Sequence, residues 1–235
     1  MDAMVRLAKR VEDLGYTRYW IAEHHNMRSI ASSATQLLIQ HTLANTKKIR
    51  VGSGGVMLPN HSPYLIAEQY GTLETLYPNR VDLGLGRAPG TDVPTAMALR
   101  RTKDLKTDFE RDLAELSGYF KGSNYVQAYP AHGLYLPFYI LGSSTDSAYL
   151  AAKLGLPYSF AAHFAPAMME NAIAIYNRYF QPSAILDKPY VILGVNAILA
   201  DTDEEAKRLS TTMIQSFLNI VTSNQKGLMP PLQSE

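Results

Sequence analysis

Helix and strand patterns alternate along almost the whole chain, and that alternation limits the fold more than any single motif does. The first segment, AMVRLAKRVEDLG, puts Met4, Leu7, Ala8, Val11 and Leu14 on one helical face, and Gly15 suits the stop. RYWIA follows with strand character. SSATQLLIQHTLANT reads as a helix with Ser32 or Ser33 at its N-cap, and KIRVGSGGVML as a strand. SPYLIAEQYGTLETLY has Ser62 at the N-cap and Pro63 at N1, and Pro78 ends it. RVDLGLG is the next strand. The second half continues with helix DLKTDFERDLAELSGYF, strand FYILG, helix STDSAYLAAKLG, strand PYSFAA, helix APAMMENAIAIYNRYF and strand YVILGVNAILA. Thr202 and Glu205, at capping-box spacing, announce a last helix. Strands separated by helices predict a parallel sheet joined by crossovers. An open doubly wound sheet and a closed eight-stranded barrel both satisfy the pattern. The sequence opens inside a helix, so a closed barrel would lack its first strand.

Composition narrows the function classes. Lys+Arg number 22 against 21 Asp+Glu, which gives no electrostatic case for nucleic acid or an anionic membrane. There is no cysteine, so disulfides, thiolate metal sites and a cysteine nucleophile are excluded. No stretch reaches the ~18 apolar residues of a membrane helix, and no signal peptide is recognisable. A cytoplasmic location is the default expectation.

In either parallel fold, ligands gather at the carboxyl ends of the strands. RYWIA ends abruptly in Glu23, His24, His25 and Asn26, a polar terminus that either faces a ligand at the strand end or holds two histidines that cap backbone groups. In extended geometry His24 and His25 point to opposite faces and do not chelate one metal, so no metal site is expected. Gly52, Gly54 and Gly55 interrupt the second strand, marking either a tight corner or a place where a flat ligand lies on bare backbone. In RVDLGLG, Val81, Leu83 and Leu85 share one face while Asp82, Gly84 and Gly86 share the other. Arg87 follows at the rim, where a guanidinium is either a surface charge or a phosphate fork. The strand FYILG ends at Gly142, and Ser143, Ser144 and Ser147 surround the next helix start. That turn is either an ordinary serine cap or a phosphate cradle.

Taken together, AEHHN, VGSGGVMLPNHSP, AEQYGTLETLYPNRVDLGLGRAPG and LGSSTDSAYLAAKLGLP resemble the luciferase-like flavin monooxygenases, the family of bacterial luciferase, over residues 3–222. The resemblance implies a TIM-type (β/α) barrel, here without its first strand and its last strand-helix unit. It implies one domain over residues 1–222, and the residues that follow, with NQKGLMPPLQSE, read as a loop or tail over 223–235. It also implies FMN at the strand ends, with a non-proline cis peptide at Gly54–Gly55 under the flavin ring. Arg87 matches the family's phosphate-binding arginine, and Gly142, Ser143, Ser144 and Ser147 match its phosphate-contacting turn. His24 matches the active-site histidine, with Glu23 and His25 as neighbours that orient it. The implied activity is a monooxygenase that uses reduced FMN and oxygen to oxidise a small organic substrate such as an aldehyde. A separate flavin reductase would supply the reduced cofactor, and relatives suggest a homodimer. The alternatives are hydride transfer with a deazaflavin or flavin, and flavin binding without catalysis. The segments 60–63 and 88–101 are left as loops that would set substrate choice.

Overall fold

A computed structural model of the chain describes residues 1–222 and 227–233. The chain divides into two compact units, one of residues 1–26 and 32–194, the other of 27–31 and 195–235.

The larger unit begins with α1 (Asp2–Asp13), β1 (Arg18–Ile21), α2 (Thr35–Asn45), β2 (Arg50–Met57), α3 (Pro63–Leu76) and β3 (Val81–Gly86). It continues with α4 (Val93–Arg100), α5 (Phe109–Lys121), β4 (Phe138–Gly142), α6 (Thr145–Leu154), β5 (Tyr158–Phe160), α7 (Met169–Tyr179) and β6 (Val191–Leu193). All neighbouring strands pair parallel, in the order β1-β2-β3-β4-β5-β6. A doubly wound sheet reverses its order at a switch point. This one never does, and right-handed crossovers through α2, α3, α5, α6 and α7 put those helices on one face. The six strands therefore curl into a half-barrel of the TIM type.

The core lies between that sheet and its helices. Val81, Leu83 and Leu85 on β3, Val51 on β2 and Ile140 on β4 meet Ile39 and Leu43 of α2, Ile66 and Tyr70 of α3 and Leu116 of α5, all buried. Each such side chain contributes roughly 1.5–3 kcal/mol on leaving water. The other face of β3 carries Asp82, fully buried. Its carboxylate accepts from Arg18 Nε at 3.0 Å, Arg50 Nε at 2.7 Å and Trp20 Nε1 at 3.0 Å. Arg18 also donates to the Tyr139 hydroxyl at 2.9 Å. The strand beginnings are thus tied across four neighbouring strands by one polar network.

Several element boundaries differ from expectation. α2 starts at Thr35 with Ala34 at the N-cap, because Ser32 gives its carbonyl, not its hydroxyl, to the Thr35 side chain. The last strand is three residues long instead of spanning YVILGVNAILA. The segment 88–101, read as a loop, contains α4, capped by Asp92 accepting the Thr95 N–H at 2.9 Å. FYILG forms β4 over the expected residues, and Pro63 opens α3 behind Ser62.

The second unit contains α8 (Asp203–Val221), and Thr202 caps it by accepting the Glu205 N–H at 3.2 Å. Glu205 turns its carboxylate to Arg208 rather than closing a capping box. Of the tail read over 223–235, residues 223–226 and 234–235 lie outside the described residues, and 227–233 have no regular secondary structure. No helix among the described residues is long and apolar enough to cross a membrane.

Candidate functional site

Three strand ends converge. β1 runs out into Glu23, His24 and His25, β2 into Asn60 and His61, and β3 into the segment from Arg87 to Asp92. Cross-links hold the three together. Asn60 donates to the Pro89 carbonyl at 2.7 Å, Thr91 to the His25 carbonyl at 3.2 Å, and Asn26 to Asp92 at 2.8 Å. Asn60 is buried, and its Oδ1 has no hydrogen-bond partner among the described residues. It is an acceptor available to a bound group.

His24 is half-buried, and its Nδ1 lies 3.3 Å from the Gly90 carbonyl. A carbonyl only accepts, so Nδ1 carries the proton and Nε2 of the neutral ring is the free basic atom. Glu23 and His25 do not orient this ring, contrary to the sequence reading. They bond to each other instead. Glu23 is fully buried, and its Oε1 accepts from His25 Nε2 at 2.9 Å and from His61 Nε2 at 2.7 Å, while Oε2 accepts the Met57 N–H at 3.3 Å. Burial pushes the Glu23 carboxyl up, but the donors on His61, His25 and Met57 outweigh it and hold it below the usual carboxylate range. The sequence reading separated His24 from His25 correctly, and missed His61. The signal was present, because His61 follows the end of β2 as His24 and His25 follow β1.

At the glycine pair, Gly54–Gly55 is a cis peptide. Ser53 pairs with Leu83 and Val56 with Leu85, so β2 carries one extra residue there as a bulge. A Cβ on Gly55 would stand 2.8 Å from the Gly84 carbonyl oxygen of β3, and one on Gly54 would stand 3.1 Å from Trp20 Cβ. Close packing within the sheet accounts for the missing side chain at Gly55. Gly54 is half-buried and faces Trp20.

On the next strands, Gly86 pairs with Leu141, so Arg87 and Gly142 leave adjacent strand ends side by side. Both Nη atoms of Arg87 lie 3.4 Å from Asp146 Oδ2, in the first turn of α6. The pair is open to solvent, with 57% and 69% of the two side chains exposed, so it holds the guanidinium only loosely. Ser144 is the N-cap of α6, yet its side chain makes no capping hydrogen bond. Ser143 is exposed. Ser147 is committed inside the protein: its hydroxyl donates to the Ser144 carbonyl at 2.7 Å and meets the Tyr158 hydroxyl at 3.0 Å. A Cβ on Gly142 would stand 2.0 Å from Ser147 Oγ, so glycine makes room for that inward turn. The donors of this corner are the Arg87 guanidinium, held only by the exposed Asp146, the Ser143 and Ser144 hydroxyls and the first-turn N–H groups of α6, a set suited to a phosphate.

Known proteins resemble this chain along nearly its whole length. A profile of the luciferase-like monooxygenase family matches residues 1–230. The Bacillus subtilis protein YvbT is 55% identical over 231 residues, which are 97% of this chain and 69% of that protein. An Escherichia coli luciferase-like monooxygenase is 52% identical over 232 residues, again 97% of this chain and 69% of that protein. Among solved structures, apo-MsnO8 superposes with a TM-score of 0.88 at 36% identity, over 96% of this chain and 68% of that one. The oxygenating constituent of 3,6-diketocamphane monooxygenase from Pseudomonas putida, solved in complex with FMN, has the same fold, with a TM-score of 0.71 at 19% identity over 94% of this chain and 69% of that one. A profile match along nearly the whole chain and identities above half leave one assignment: the chain belongs to the luciferase-like monooxygenase family of flavin-dependent oxidoreductases.

Proposed function

We propose that the chain binds FMN at the strand ends of its half-barrel and, with reduced FMN and oxygen as co-substrates, oxidises a small organic molecule. The observation that carries this reading is the meeting of Arg87 with the first turn of α6 at the sheet end that also holds His24. A guanidinium, two serine hydroxyls without a capping duty and a helix N-terminus supply what the phosphate of FMN requires.

FMN, when bound, supplies the electrons for oxygen chemistry. The chain supplies the rest. Arg87, Ser143 and Ser144 hold the phosphate, and Gly142 lets Ser147 brace their turn from behind. Gly54 and Gly55 keep the bulged stretch of β2 free of side chains next to the ring. His24 keeps its Nδ1 proton on the Gly90 carbonyl and takes or gives a proton at Nε2. A positioned acid or base of this kind is worth ~10²–10⁴ in rate. Delivery of reduced FMN by a separate reductase and assembly as a homodimer belong to the same proposal.

The test is direct. Purified protein is titrated with FMN, riboflavin and a deazaflavin, and oxygen uptake is then followed with reduced FMN and a medium-chain aldehyde. The expected result is FMN binding at least tenfold tighter than riboflavin, with oxygen incorporated into an organic product. Equal affinity for FMN and riboflavin would remove the phosphate site. Binding of the deazaflavin in place of FMN would move the reading to hydride transfer.

A further inference from the structure

We propose that Glu23 is a positioning residue that sets the proton positions of two imidazoles at once, holding His25 and His61 as the Nε2–H tautomer so that each presents Nδ1 as its basic atom. The geometry is specific. A single carboxylate oxygen, Oε1, lies 2.9 Å from His25 Nε2 and 2.7 Å from His61 Nε2. An ionised carboxylate only accepts, so both Nε2 atoms must carry hydrogen. The two rings come from different strand ends, and their centroids lie 6.3 Å apart. The shared oxygen joins them through hydrogen bonds. Glu23 is fully buried, and its other oxygen takes the Met57 N–H at 3.3 Å. The carboxylate is therefore fixed at both ends.

The arrangement has a chemical consequence. A proton taken up at Nδ1 of either ring leaves the Nε2–H bond to Glu23 in place. Each ring can then change charge without changing position, against an anion that offsets the charge. His24, adjacent in sequence, holds the opposite tautomer because its Nδ1 donates to the Gly90 carbonyl. Three imidazoles on converging strand ends thus have assigned proton positions, and two of those assignments depend on Glu23. The relevance of this device to turnover rests on the flavin reading above, whereas the tautomers themselves do not.

The cluster also has the composition of a divalent-metal site, with one ligand atom from each of Glu23, His25 and His61 within 4.8 Å of the others. The proton arrangement and a bound metal exclude each other, because a metal needs both Nε2 lone pairs free, and the experiment separates them.

The experiment is ¹⁵N spectroscopy of the imidazoles in the folded chain without flavin, above the pH at which the rings lose their charge. Signals are assigned by their loss in His25→Asn and His61→Asn. The expected result is a protonated Nε2 and an unprotonated Nδ1 on both His25 and His61. Glu23→Gln supplies the second arm. Its amide must present oxygen to the Met57 N–H, which cannot change, and therefore NH₂ to the two rings. At least one ring is expected to invert to Nδ1–H. A wild-type ring found as Nδ1–H, or both rings unchanged in Glu23→Gln, would overturn the proposal. So would stoichiometric Zn²⁺ uptake that Glu23→Gln abolishes. Failure of FMN to bind would defeat the flavin reading and leave the tautomer result standing.

Discussion

His24 and His25 are neighbours in sequence with different partners, and the consequences for substitution differ accordingly. Among the described residues the His24 side chain hydrogen-bonds only the Gly90 carbonyl, at 3.3 Å, so its removal disturbs little else. His24→Ala is expected to keep FMN affinity within about twofold and to lose ~10²–10⁴ in turnover, measured as oxygen uptake with saturating reduced FMN. Unchanged turnover would take His24 out of the chemistry. Among the described residues Arg87 hydrogen-bonds only the exposed Asp146, at 3.4 Å, so the guanidinium is available to an anion at small cost. Arg87→Ala is expected to weaken FMN more than tenfold and riboflavin less than about twofold, since a charge-assisted bond is worth ~1.5–3 kcal/mol. Asp146→Asn removes the competing carboxylate and is expected to tighten FMN by about two- to fivefold, in keeping with the weight of an exposed ion pair. An equal effect on riboflavin in either variant would argue against a phosphate at this corner. Legibility at this scale was uneven. Strand-end position singles out Arg87 and the serine turn but leaves a surface charge and an ordinary cap open, and the inward turn of Ser147 is not legible at all, because the room that Gly142 leaves for it is set by packing and not by spacing.

Elements with a strong apolar period could be read in the sequence, and those without one could not. FYILG and the helix behind Ser62-Pro63 fall where the pattern puts them. α4 was missed because it buries only Ala96, so no stripe of apolar residues marks it. Asp92 and Pro94 at its start are the signals that the sequence does offer. At the other extreme, YVILGVNAILA is apolar enough to suggest a long strand, yet β6 stops at Leu193 before Gly194. The glycines of β2 need two different explanations. Gly52 pairs with Asp82, and a Cβ there would stand 2.2 Å from the Asp82 carbonyl oxygen, which is main chain and cannot swing aside. Gly52→Ala is therefore expected to push β2 from β3 and cost about 1–3 kcal/mol of stability, as overpacking does. Denaturant unfolding measures it. FMN affinity of the folded fraction should change little, since Gly52 lies below the bulge. A neutral Gly52→Ala would mean that the two strands separate more easily than their packing implies.

At the scale of the whole sheet, the two ends of the strands hold different kinds of polar group. The beginnings are closed by Asp82, whose two oxygens take the side chains of Arg18, Arg50 and Trp20. Every partner there is satisfied by another part of the chain. The finishing ends keep donors and acceptors in reserve: Arg87, Ser144 and the orphaned Oδ1 of Asn60. That division is the one expected of a parallel (β/α) sheet, in which the beginnings secure the fold and the ends serve chemistry. It was half legible in the sequence. The period-two face Asp82-Gly84-Gly86 placed the acid inside, but the two arginines that meet it lie on other strands, and register cannot be read from one strand alone. The division makes a separable prediction. Asp82→Ala leaves two partly buried guanidiniums and an indole N–H without their acceptor. Breaking a buried pair costs about 3–5 kcal/mol, and the low end applies because Arg18 and Arg50 keep 26% and 23% of their side-chain exposure. With the usual entropy of unfolding for a chain of this size, about 3 kcal/mol lowers the melting midpoint by about 6–12 °C. At a temperature where the variant is still folded, its FMN affinity is expected to stay within about fivefold of the wild type, because Arg87 and His24 make none of their hydrogen bonds to the network and only Trp20, packed against Gly54, links the two ends. Calorimetry and a flavin titration on the same preparation give both numbers. Loss of FMN binding in parallel with stability would mean that the ends of the sheet act as one body, and that the arginines below help to set the position of the groups above.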